Sequence, residues 1–237
     1  MTVKANAPAK AFAPAKINLT LHVIGQRADG CHLLDSLVMF ASIGDRITAH
    51  LADETSLTVK GPMAAGVPQD ASNLVIRAAD LMGVTAAVRL YKNLPHTAGL
   101  GGGSTDAAAT LRALSKLTHV PIPQGTLALG ADVPVCLLAK SARMRGIGDE
   151  ITQVPDLPML HAVLVNPNRP VPTATVFNQL KKRDNDPMPA DLPKLKNAPD
   201  LIEWLGGMRN DLQAAAIEAE PGIAQVFNAL EVTPGCL

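Results

Sequence analysis

A run of glycines, Gly99-Leu-Gly-Gly-Gly-Ser104, constrains this chain more than any other feature of its sequence. It lies between a strand pattern at Ala87–Tyr91 and a helical pattern in which leucines recur behind Ala107. Glycine lets consecutive backbone N–H groups turn inward because no Cβ obstructs them, and the start of a helix adds partial positive charge. The run therefore predicts a loop that cradles phosphate groups.

Two familiar phosphate loops do not match this run in detail. A Walker A loop requires Lys directly before its Ser or Thr, and here Gly103 precedes Ser104. A dinucleotide-binding fingerprint requires a further glycine at the position that Ser104 occupies. On glycine content alone, a tight turn from strand to helix that binds nothing is the other interpretation.

Charge and composition exclude several classes of protein. The 237 residues include 21 basic and 21 acidic side chains, so we expect no extended basic face for nucleic acid or anionic membrane. The three cysteines, Cys31, Cys136 and Cys236, are too scattered for a disulfide framework or a paired-cysteine metal site. The sequence shows no signal-peptide pattern and no apolar run close to the ~20 residues that span a bilayer. We expect a cytoplasmic protein.

Capping residues predict two helices. Asn73 precedes residues at helical spacing and Gly83 follows them, which favours a helix between the two. Behind the glycine run, Ser104, Thr105 or Asp106 is expected to cap a second helix.

Periodicity predicts the remaining elements. Alternating apolar residues indicate strands, and a charged, Pro-rich stretch indicates a surface loop. The expected elements are a loose lead-in over residues 1–13, strands at Lys16–Ile24, Leu33–Ile43, Ile47–Leu51, Leu57–Lys60, Val135–Leu138 and Leu160–Val165, a loop over residues 181–200, and a helix over Asn210–Leu230 broken near Pro221-Gly222.

Three blocks, in order, resemble the GHMP kinases, a family of small-molecule kinases. Pro95-His-Thr-Ala-Gly-Leu-Gly-Gly-Gly-Ser-Thr-Asp-Ala107 is similar to the phosphate loop of that family. Ala13-Pro-Ala-Lys-Ile-Asn-Leu19, followed by Arg27-Ala-Asp-Gly-Cys-His-Leu-Leu-Asp-Ser36, resembles the opening of its diphosphocytidyl-methylerythritol kinase branch. Leu129-Gly-Ala-Asp-Val-Pro-Val-Cys136 resembles the catalytic aspartate segment of that branch. The resemblance spans about residues 13–178.

The resemblance implies an α+β fold with the two-domain arrangement of GHMP kinases. Residues 1–150 would form an N-terminal domain, of a fold type that also appears in ribosomal proteins, with the phosphate loop and the catalytic aspartate. Residues 151–237 would form a ferredoxin-like C-terminal domain that is incomplete. The implied reaction is ATP-dependent phosphorylation of a hydroxyl of a cytidylyl sugar alcohol in non-mevalonate isoprenoid precursor synthesis, with Mg²⁺ as cofactor.

Phosphoryl transfer to an alcohol needs a carboxylate near the attacking hydroxyl and positive charge near the transferring group. The resemblance assigns these roles to Asp132, as base, and to Lys16, which would orient that carboxylate. Without the resemblance, each would more often be an ordinary surface or paired charge. Asn18, on the same strand face as Lys16, is expected to help hold the substrate.

The same resemblance implies a set of ATP-binding residues, with Mg²⁺ bridging the β and γ phosphates and no protein ligand of the metal identified. They are Asn73, Lys92, Pro95, Ala98, Gly99, Leu100, Gly101, Gly102, Gly103, Ser104 and Thr105.

The cytidine end of the substrate distinguishes this branch from other GHMP kinases. Its members hold the cytosine ring with a Tyr-His pair and a later Phe, and here the pair reads Cys31-His32. His32 can hydrogen-bond a base edge, Phe177 matches the stacking Phe, and Thr173 lies in the matching turn. Because a stacked base contributes ~1–3 kcal/mol, we expect a pocket that is weakened without the Tyr. A core aromatic at a helix start is the other interpretation of Phe177.

One motif of the family is missing: the third glycine-rich motif near the C-terminus. We expect the natural polypeptide to continue past Leu237 by ~30–50 residues, enough for a strand, a Gly-rich turn and a helix. Two alternative functions stay open. The chain could be another GHMP kinase, of homoserine or mevalonate type, or a non-catalytic module that binds nucleotides or RNA. A monomer or homodimer is expected.

Overall fold

The computed structural model describes residues 7–234, and its contacts divide the chain into two compact units. Unit 1 comprises the described residues up to Ile17, Phe40–His96 and Leu100–Ala139. Unit 2 comprises Asn18–Met39, Thr97–Gly99 and the chain from Lys140 onward. The units interleave along the chain, in contrast to the expected single boundary near residue 150, because one long strand supplies residues to both.

The described part of the chain forms seven strands and seven α-helices, which confirms the α+β class. The strands are β1 (Ala9–Asn18), β2 (His22–Gln26), β3 (His32–Leu51), β4 (Ser56–Lys60), β5 (Ala86–Tyr91), β6 (Ala142–Gly146) and β7 (Glu150–Gln153). The helices are α1 (Leu74–Met82), α2 (Gly102–Thr118), α3 (Val133–Leu138), α4 (Thr173–Asn178), α5 (Ala198–Gly206), α6 (Gln213–Ala219) and α7 (Gly222–Glu231). No helix in residues 7–234 combines the length and apolar character that a bilayer crossing requires.

In unit 1, strand β5 lies between β3 and β4, antiparallel to the first and parallel to the second. Ala86, Val88 and Leu90 of β5 are buried, and the residues between them are more exposed. This alternation follows from the two-residue period of a strand, which turns every second side chain toward the core.

Helices α1 and α2 pack against each other over this core. Much of the face that α2 buries is alanine, with Ala107, Ala108, Ala109 and Ala113 fully buried. Small side chains let the helix backbone approach its neighbours closely, and interiors packed at high density resist displacement. The glycine run at the start of α2 is therefore attached to a rigid element.

The caps of α1 confirm the sequence-based expectation. Asn73 Oδ1 accepts a hydrogen bond from the N–H of Val75 at 2.9 Å, and Gly83 ends the helix with φ 63°. Both signals are local, because a side-chain oxygen satisfies an orphan N–H and glycine adopts the left-handed conformation without strain.

In unit 2, the first part of β3 pairs antiparallel with β2 and with β6, and β7 pairs with β6. Leu37 and Val38 of β3, Met144 of β6 and Leu201 of α5 are among its most buried side chains. The expected break of the last helical stretch at Pro221-Gly222 is confirmed, since α6 ends at Ala219 and α7 begins at Gly222.

Three expectations for the N-terminal part of the chain were wrong. The lead-in is ordered from Ala9, because Ala9 and Ala13 pack into the core of unit 1. The single strand expected at Lys16–Ile24 is two strands, and the backbone N–H of Leu19 between them donates to the C=O of Leu37 at 2.8 Å. The two strands expected at Leu33–Ile43 and Ile47–Leu51 are one continuous strand, β3. Residues 1–6 lie outside the described residues.

Two further strand predictions were wrong in the second half of the chain. Val135–Leu138 belongs to helix α3, where Pro134 lies in the first turn, a position that proline favours. The stretch expected as a strand at Leu160–Val165 pairs with no strand of the described residues, and Val163 is 84% exposed. After Gln153 the described chain contains helices but no strand, so the strands of the expected ferredoxin-like domain do not form there.

A buried ion pair fixes an irregular segment in unit 2. Arg143 donates from Nε and Nη2 to the two oxygens of Asp35, at 2.8 and 2.7 Å. The same guanidinium donates to the C=O groups of Pro189 and Ala190, and the N–H of Met188 donates to Asp35 at 3.0 Å. The segment over 188–190 is thus held by charge-assisted bonds in the absence of regular structure.

We predict that Asp35→Asn lowers the free energy of unfolding by roughly 3–5 kcal/mol, because it leaves the buried Arg143 charge without its partner. Glu150→Gln is the matched control, since Glu150 lies 4.0 Å from Arg145 in an exposed pair. That change is expected to cost less than about 1 kcal/mol. Urea unfolding of both variants measures the difference, and equal losses would contradict the prediction.

Candidate active site

Helix α2 begins inside the glycine run, so the N-caps expected at Ser104, Thr105 or Asp106 were wrong. Gly101 is the N-cap, with φ 62°, and no side chain caps the helix. The left-handed conformation costs other residues roughly 1–2 kcal/mol, which explains why glycine occupies this position. Because no side-chain oxygen satisfies the first N–H groups of α2, these groups are suited to an anionic ligand.

Lys16 and Asp132, the residues expected to act in catalysis, form an ion pair in unit 1. Lys16 Nζ lies 2.6 Å from Asp132 Oδ1. The Lys16 side chain is 4% exposed and that of Asp132 is 31% exposed, so the carboxylate keeps an open side.

Strand β1 places this pair beside the glycine run. The backbone N–H of Lys16 donates to the C=O of Leu100 at 3.0 Å. A Cβ added to Gly101 would lie 3.1 Å from the Cβ of Lys16, so the two backbones are in close contact. The charge pair and the first turn of α2 therefore form one cluster.

Asp132 is positioned by the turn before α3 and by an arginine of α2. Asp132 occupies the N-cap position of α3 but makes no capping bond, which leaves its carboxylate to Lys16. Arg112 donates to the C=O of Cys136 and to the C=O of Phe12, both at 2.8 Å. These bonds tie α3 and β1 to α2 and so fix the distance between Lys16 and Asp132.

The residues expected to hold ATP lie in several places. Asn73 caps α1, and the adjacent Leu74 Cδ1 would lie 3.6 Å from a Cβ on Gly103. The start of α1 is therefore next to the glycine run. Gly102, Gly103, Ser104 and Thr105 form the first turn of α2, and Thr105 Oγ1 donates to the C=O of Gly102 at 3.0 Å.

The chain from Pro95 to Leu100 forms neither helix nor strand. Ala98 and Gly99 are grouped with unit 2, where the C=O of Thr97 accepts a hydrogen bond from the N–H of Val171 at 3.1 Å. Thr97 has φ 56°, an uncommon conformation for a β-branched residue. Backbone strain of this kind clusters at functional sites.

Lys92 lies in a buried charge cluster with two aspartates. Its Nζ is 2.5 Å from Asp45 Oδ2 and 2.8 Å from Asp106 Oδ2. Burial lowers the pKa of Lys92, but Asp106 and Asp45 more than offset this and raise it above the ordinary value. Direct contact of Lys92 with ATP stays a prediction, and this placement does not favour it.

Burial raises the pKa of Asp106 to about 8, against the opposing effect of Lys92. Asp106 therefore keeps its proton at neutral pH. The cluster then contains one ammonium, one carboxylate and one carboxylic acid, and its net charge is zero.

In unit 2, His32 and Phe177 stack, with ring centroids 4.9 Å apart and an interplanar angle of 29°. Burial, followed by the charge of Arg183, lowers the pKa of His32, so the imidazole is neutral at neutral pH. His32 Nε2 and Arg183 Nε are both buried and have no hydrogen-bond partner within the described residues. Cys31, next to His32, is exposed. This part of unit 2 thus contains a stacked aromatic pair and two buried nitrogens without partners among the described residues.

The other residues expected to bind substrate are also in unit 2. Asn18 Nδ2 donates to Ser36 Oγ at 2.7 Å, and Ser36 in turn donates to the C=O of Thr20. Thr173 is the first residue of α4, the helix that carries Phe177.

Sequence reasoning missed the roles of four ionisable residues of these sites: Asp45, the buried Asp106, Arg112 and Arg183. A signal was available for Asp106 alone, because three alanines follow it and predict a buried helix face. The partners of the other three are distant in sequence, and no local pattern indicates them.

Comparisons of the sequence with known proteins identify similar kinases. The GHMP kinases N terminal domain matches residues 73–140. The 4-diphosphocytidyl-2-C-methyl-D-erythritol kinase of Dinoroseobacter shibae is 52% identical over 97% of this chain and 80% of its own length. The protein of the same name from a Jannaschia species is 50% identical over 96% of this chain and 82% of its own length.

Kinases of known structure are also similar to this chain. A crystal structure of 4-(cytidine 5'-diphospho)-2C-methyl-D-erythritol kinase has a TM-score of 0.68 and 31% identity, and the match covers 94% of this chain and 82% of that one. Homoserine kinase from Cytophaga hutchinsonii has a TM-score of 0.55 at 17% identity, over 98% of this chain and 80% of that one. At this low identity, the similarity to homoserine kinase shows a shared fold only.

Replacing Gly101 or Gly103 by alanine should have different effects on the stability of the protein. Gly101→Ala should destabilise the protein by roughly 1–2 kcal/mol, because Ala is strained at positive φ and its Cβ would lie 3.1 Å from that of Lys16. Gly103→Ala should be neutral or stabilising by up to about 1 kcal/mol, since Ala favours a helix. Thermal unfolding without nucleotide measures both, and equal shifts would contradict the expected difference.

Proposed function

Because the chain belongs to the 4-diphosphocytidyl-2-C-methyl-D-erythritol kinases of the GHMP family, we propose that it phosphorylates a hydroxyl of that cytidylyl sugar alcohol with ATP. The product would serve non-mevalonate isoprenoid precursor synthesis. The observation that carries the proposal is the ion pair of Lys16 with Asp132, 2.6 Å long, beside the glycine run. Phosphoryl transfer requires a carboxylate near the attacking hydroxyl and positive charge near the transferring group, and this pair offers both.

In the proposed reaction, the acceptor hydroxyl oxygen attacks the γ-phosphorus and the bond from that phosphorus to ADP breaks. The hydroxyl proton passes to the Asp132 carboxylate, whose open side leaves room for the acceptor. Lys16 orients the carboxylate, and its fixed charge stabilises the negative charge that develops on the attacking oxygen. A positioned base typically contributes 10²–10⁴-fold to the rate.

The phosphates of ATP would be held by backbone N–H groups of the glycine run at the start of α2. Gly101 and Gly102 leave these groups accessible, and the helix start favours negative charge. Mg²⁺ is most often held by phosphate oxygens of the nucleotide with one or two carboxylates, and it neutralises charge on the β and γ phosphates. No group of three or more His, Cys, Asp or Glu side chains in residues 7–234 is placed to hold a metal ion. We therefore propose that Mg²⁺ is brought by ATP.

The stacked pair of His32 and Phe177 supports a cytosine pocket in unit 2. Phe177 offers a ring face, and the neutral His32 and the guanidinium of Arg183 have nitrogens without partners among the described residues. A pyrimidine base and its phosphates present the acceptors that such groups bind. In the proposed complex the base replaces the contact between the two rings.

We further propose that the enzyme acts in the cytoplasm as a monomer or homodimer, without a nucleic acid partner. Its net charge of zero supports a protein that binds small molecules rather than polyanions.

Asp132→Asn is predicted to lower kcat by roughly 10²–10⁴-fold, because the amide cannot accept the hydroxyl proton. The KM for ATP should change little, since ATP binding does not require the Asp132 carboxylate. Asp53→Asn is the control, as Asp53 is an exposed carboxylate of unit 1. Steady-state kinetics with the cytidylyl alcohol gives both constants, and turnover within a few-fold of the parent would remove Asp132 from this role.

Phe177→Ala is predicted to raise the KM for the cytidylyl alcohol about tenfold and to leave the KM for ATP nearly unchanged, because only the cytosine stacks on this ring. Cys31→Tyr should lower the first KM by adding the absent aromatic wall. Phe12→Ala, which removes an exposed aromatic of unit 1, is the matched control. Equal effects of Phe177→Ala on both substrates would indicate a packing role.

A further inference from the structure

Buried ionisable side chains connect the two ends of the loop that carries the glycine run. Lys92 follows β5, Asp106 directly follows the first turn of α2, and the two are 14 residues apart in sequence and 2.8 Å apart in space. Asp45, on β3, completes the cluster through Lys92, at 2.5 Å. We name this cluster the loop clamp.

Asp45 also holds the backbone at the first end of the loop. Its Oδ1 accepts hydrogen bonds from the N–H groups of Asn93 and Leu94, at 2.6 and 2.9 Å. Asn93 Nδ2 donates to the C=O of Gly44 at 2.8 Å. One carboxylate thus binds the backbone where the loop begins and, through Lys92, the helix where the loop ends.

The clamp is shielded from water. Asp45, Lys92 and Asp106 are 0%, 2% and 3% exposed. Charge-assisted bonds in such surroundings are strong, because water does not compete for them and the local dielectric is low. A Cβ on Gly102 would lie 3.0 Å from Lys92 Nζ, so the ammonium lies directly beneath the glycine run.

We propose that Asp45, Lys92 and Asp106 are positioning residues for phosphoryl transfer, which hold the two ends of the loop together and thereby aim the amides of the glycine run at the nucleotide. The inference rests on the proposed function, which makes ATP the ligand of this run. Lys92 acts through the loop and does not touch ATP. A loop whose ends are pinned has fewer conformations to lose when the nucleotide binds.

The protonation of Asp106 makes the clamp sensitive to pH. The groups that face Asp106 are Lys92, Asp45 and the thiol of Cys136, whose pKa burial raises to about 12. Asp106 Oδ1 is buried and has no hydrogen-bond partner within the described residues, and burial raises the pKa of Asp106 from 3.8 to about 8. Because the folded state binds this proton more tightly than the unfolded chain, the contribution of the clamp is full at low pH. It is lost as the pH rises through about 8.

Direct titration of MgATP into the whole protein tests the clamp at Asp106. Asp106→Ala should raise the Kd for MgATP about tenfold or more at neutral pH, because it removes a bond to a buried charge. Asp106→Asn should recover most of that loss, since its amide oxygen can still accept a hydrogen bond from Lys92. The parent should bind MgATP more weakly at about pH 9 than at about pH 7, and Asp106→Asn should lack this weakening.

Asp45→Asn separates positioning from direct contact. An amide NH₂ at this position would face N–H donors or the ammonium, so the loop should loosen and the Kd for MgATP should rise about tenfold or more. If Lys92 touched ATP directly, its release from Asp45 would leave binding unchanged or stronger. That result would overturn the proposal.

Hydrogen exchange of residues 95–103 without nucleotide adds a readout that does not depend on ATP. Asp45→Asn and Asp106→Ala should speed exchange there more than in the core strand β5. Glu218→Gln, which breaks an exposed ion pair with Lys181, is the matched control and should change neither exchange nor Kd. Lower melting temperatures with unchanged Kd and unchanged loop exchange would show a purely structural cluster and overturn the proposal.

The titration also separates this proposal from the proposed function, because MgATP binding involves no acceptor alcohol. A parent protein that binds MgATP in a clamp-dependent way but does not phosphorylate the cytidylyl alcohol would defeat the proposed function alone. Phosphorylation by the parent, with variants that bind MgATP as it does, would defeat the clamp alone. Absence of MgATP binding in the parent would defeat both.

Discussion

Two carboxylates of the long strand β3, Asp35 and Asp45, are fully buried, and a buried carboxylate is stable only when a cation and hydrogen-bond donors surround it. Arg143 meets this requirement in unit 2, and Lys92 meets it in unit 1. Each carboxylate also accepts backbone N–H groups from a segment outside the sheet. These buried charge pairs therefore fix the backbone of segments that form no helix or strand, and that would not be held by secondary structure or by apolar burial alone.

This constraint explains which parts of the fold the sequence could predict. Helix α1 was predicted because both of its ends carry local signals, Asn73 and Gly83, that act on neighbouring backbone atoms. Val135–Leu138 and Leu160–Val165 were predicted wrongly as strands because a short apolar run suits a helix, a strand or an unpaired segment equally. What decides between them is a partner element, and the run itself carries no information about that partner.

The candidate site was predictable to the extent that its residues lie in recognisable motifs. The resemblance identified Lys16 and Asp132, and the structure places them 2.6 Å apart. It gave no indication of Asp45, which lies 47 positions from Lys92, because pairing at such separation follows no spacing rule. The start of α2 was missed for a different reason: glycine capped the helix in place of the expected polar side chains.

Comparison of the two buried lysines shows why only one of them is suited to chemistry. Lys92 lies between two aspartate side chains that are themselves buried, so no bond of that cluster is open to a substrate. Lys16 is buried to a similar degree, but its partner Asp132 is 31% exposed. A base must reach an incoming hydroxyl, whereas a clamp functions best when water and substrate are excluded. The exposure of the carboxylate, rather than that of the lysine, therefore separates the pair that we propose for catalysis from the cluster that we propose for positioning.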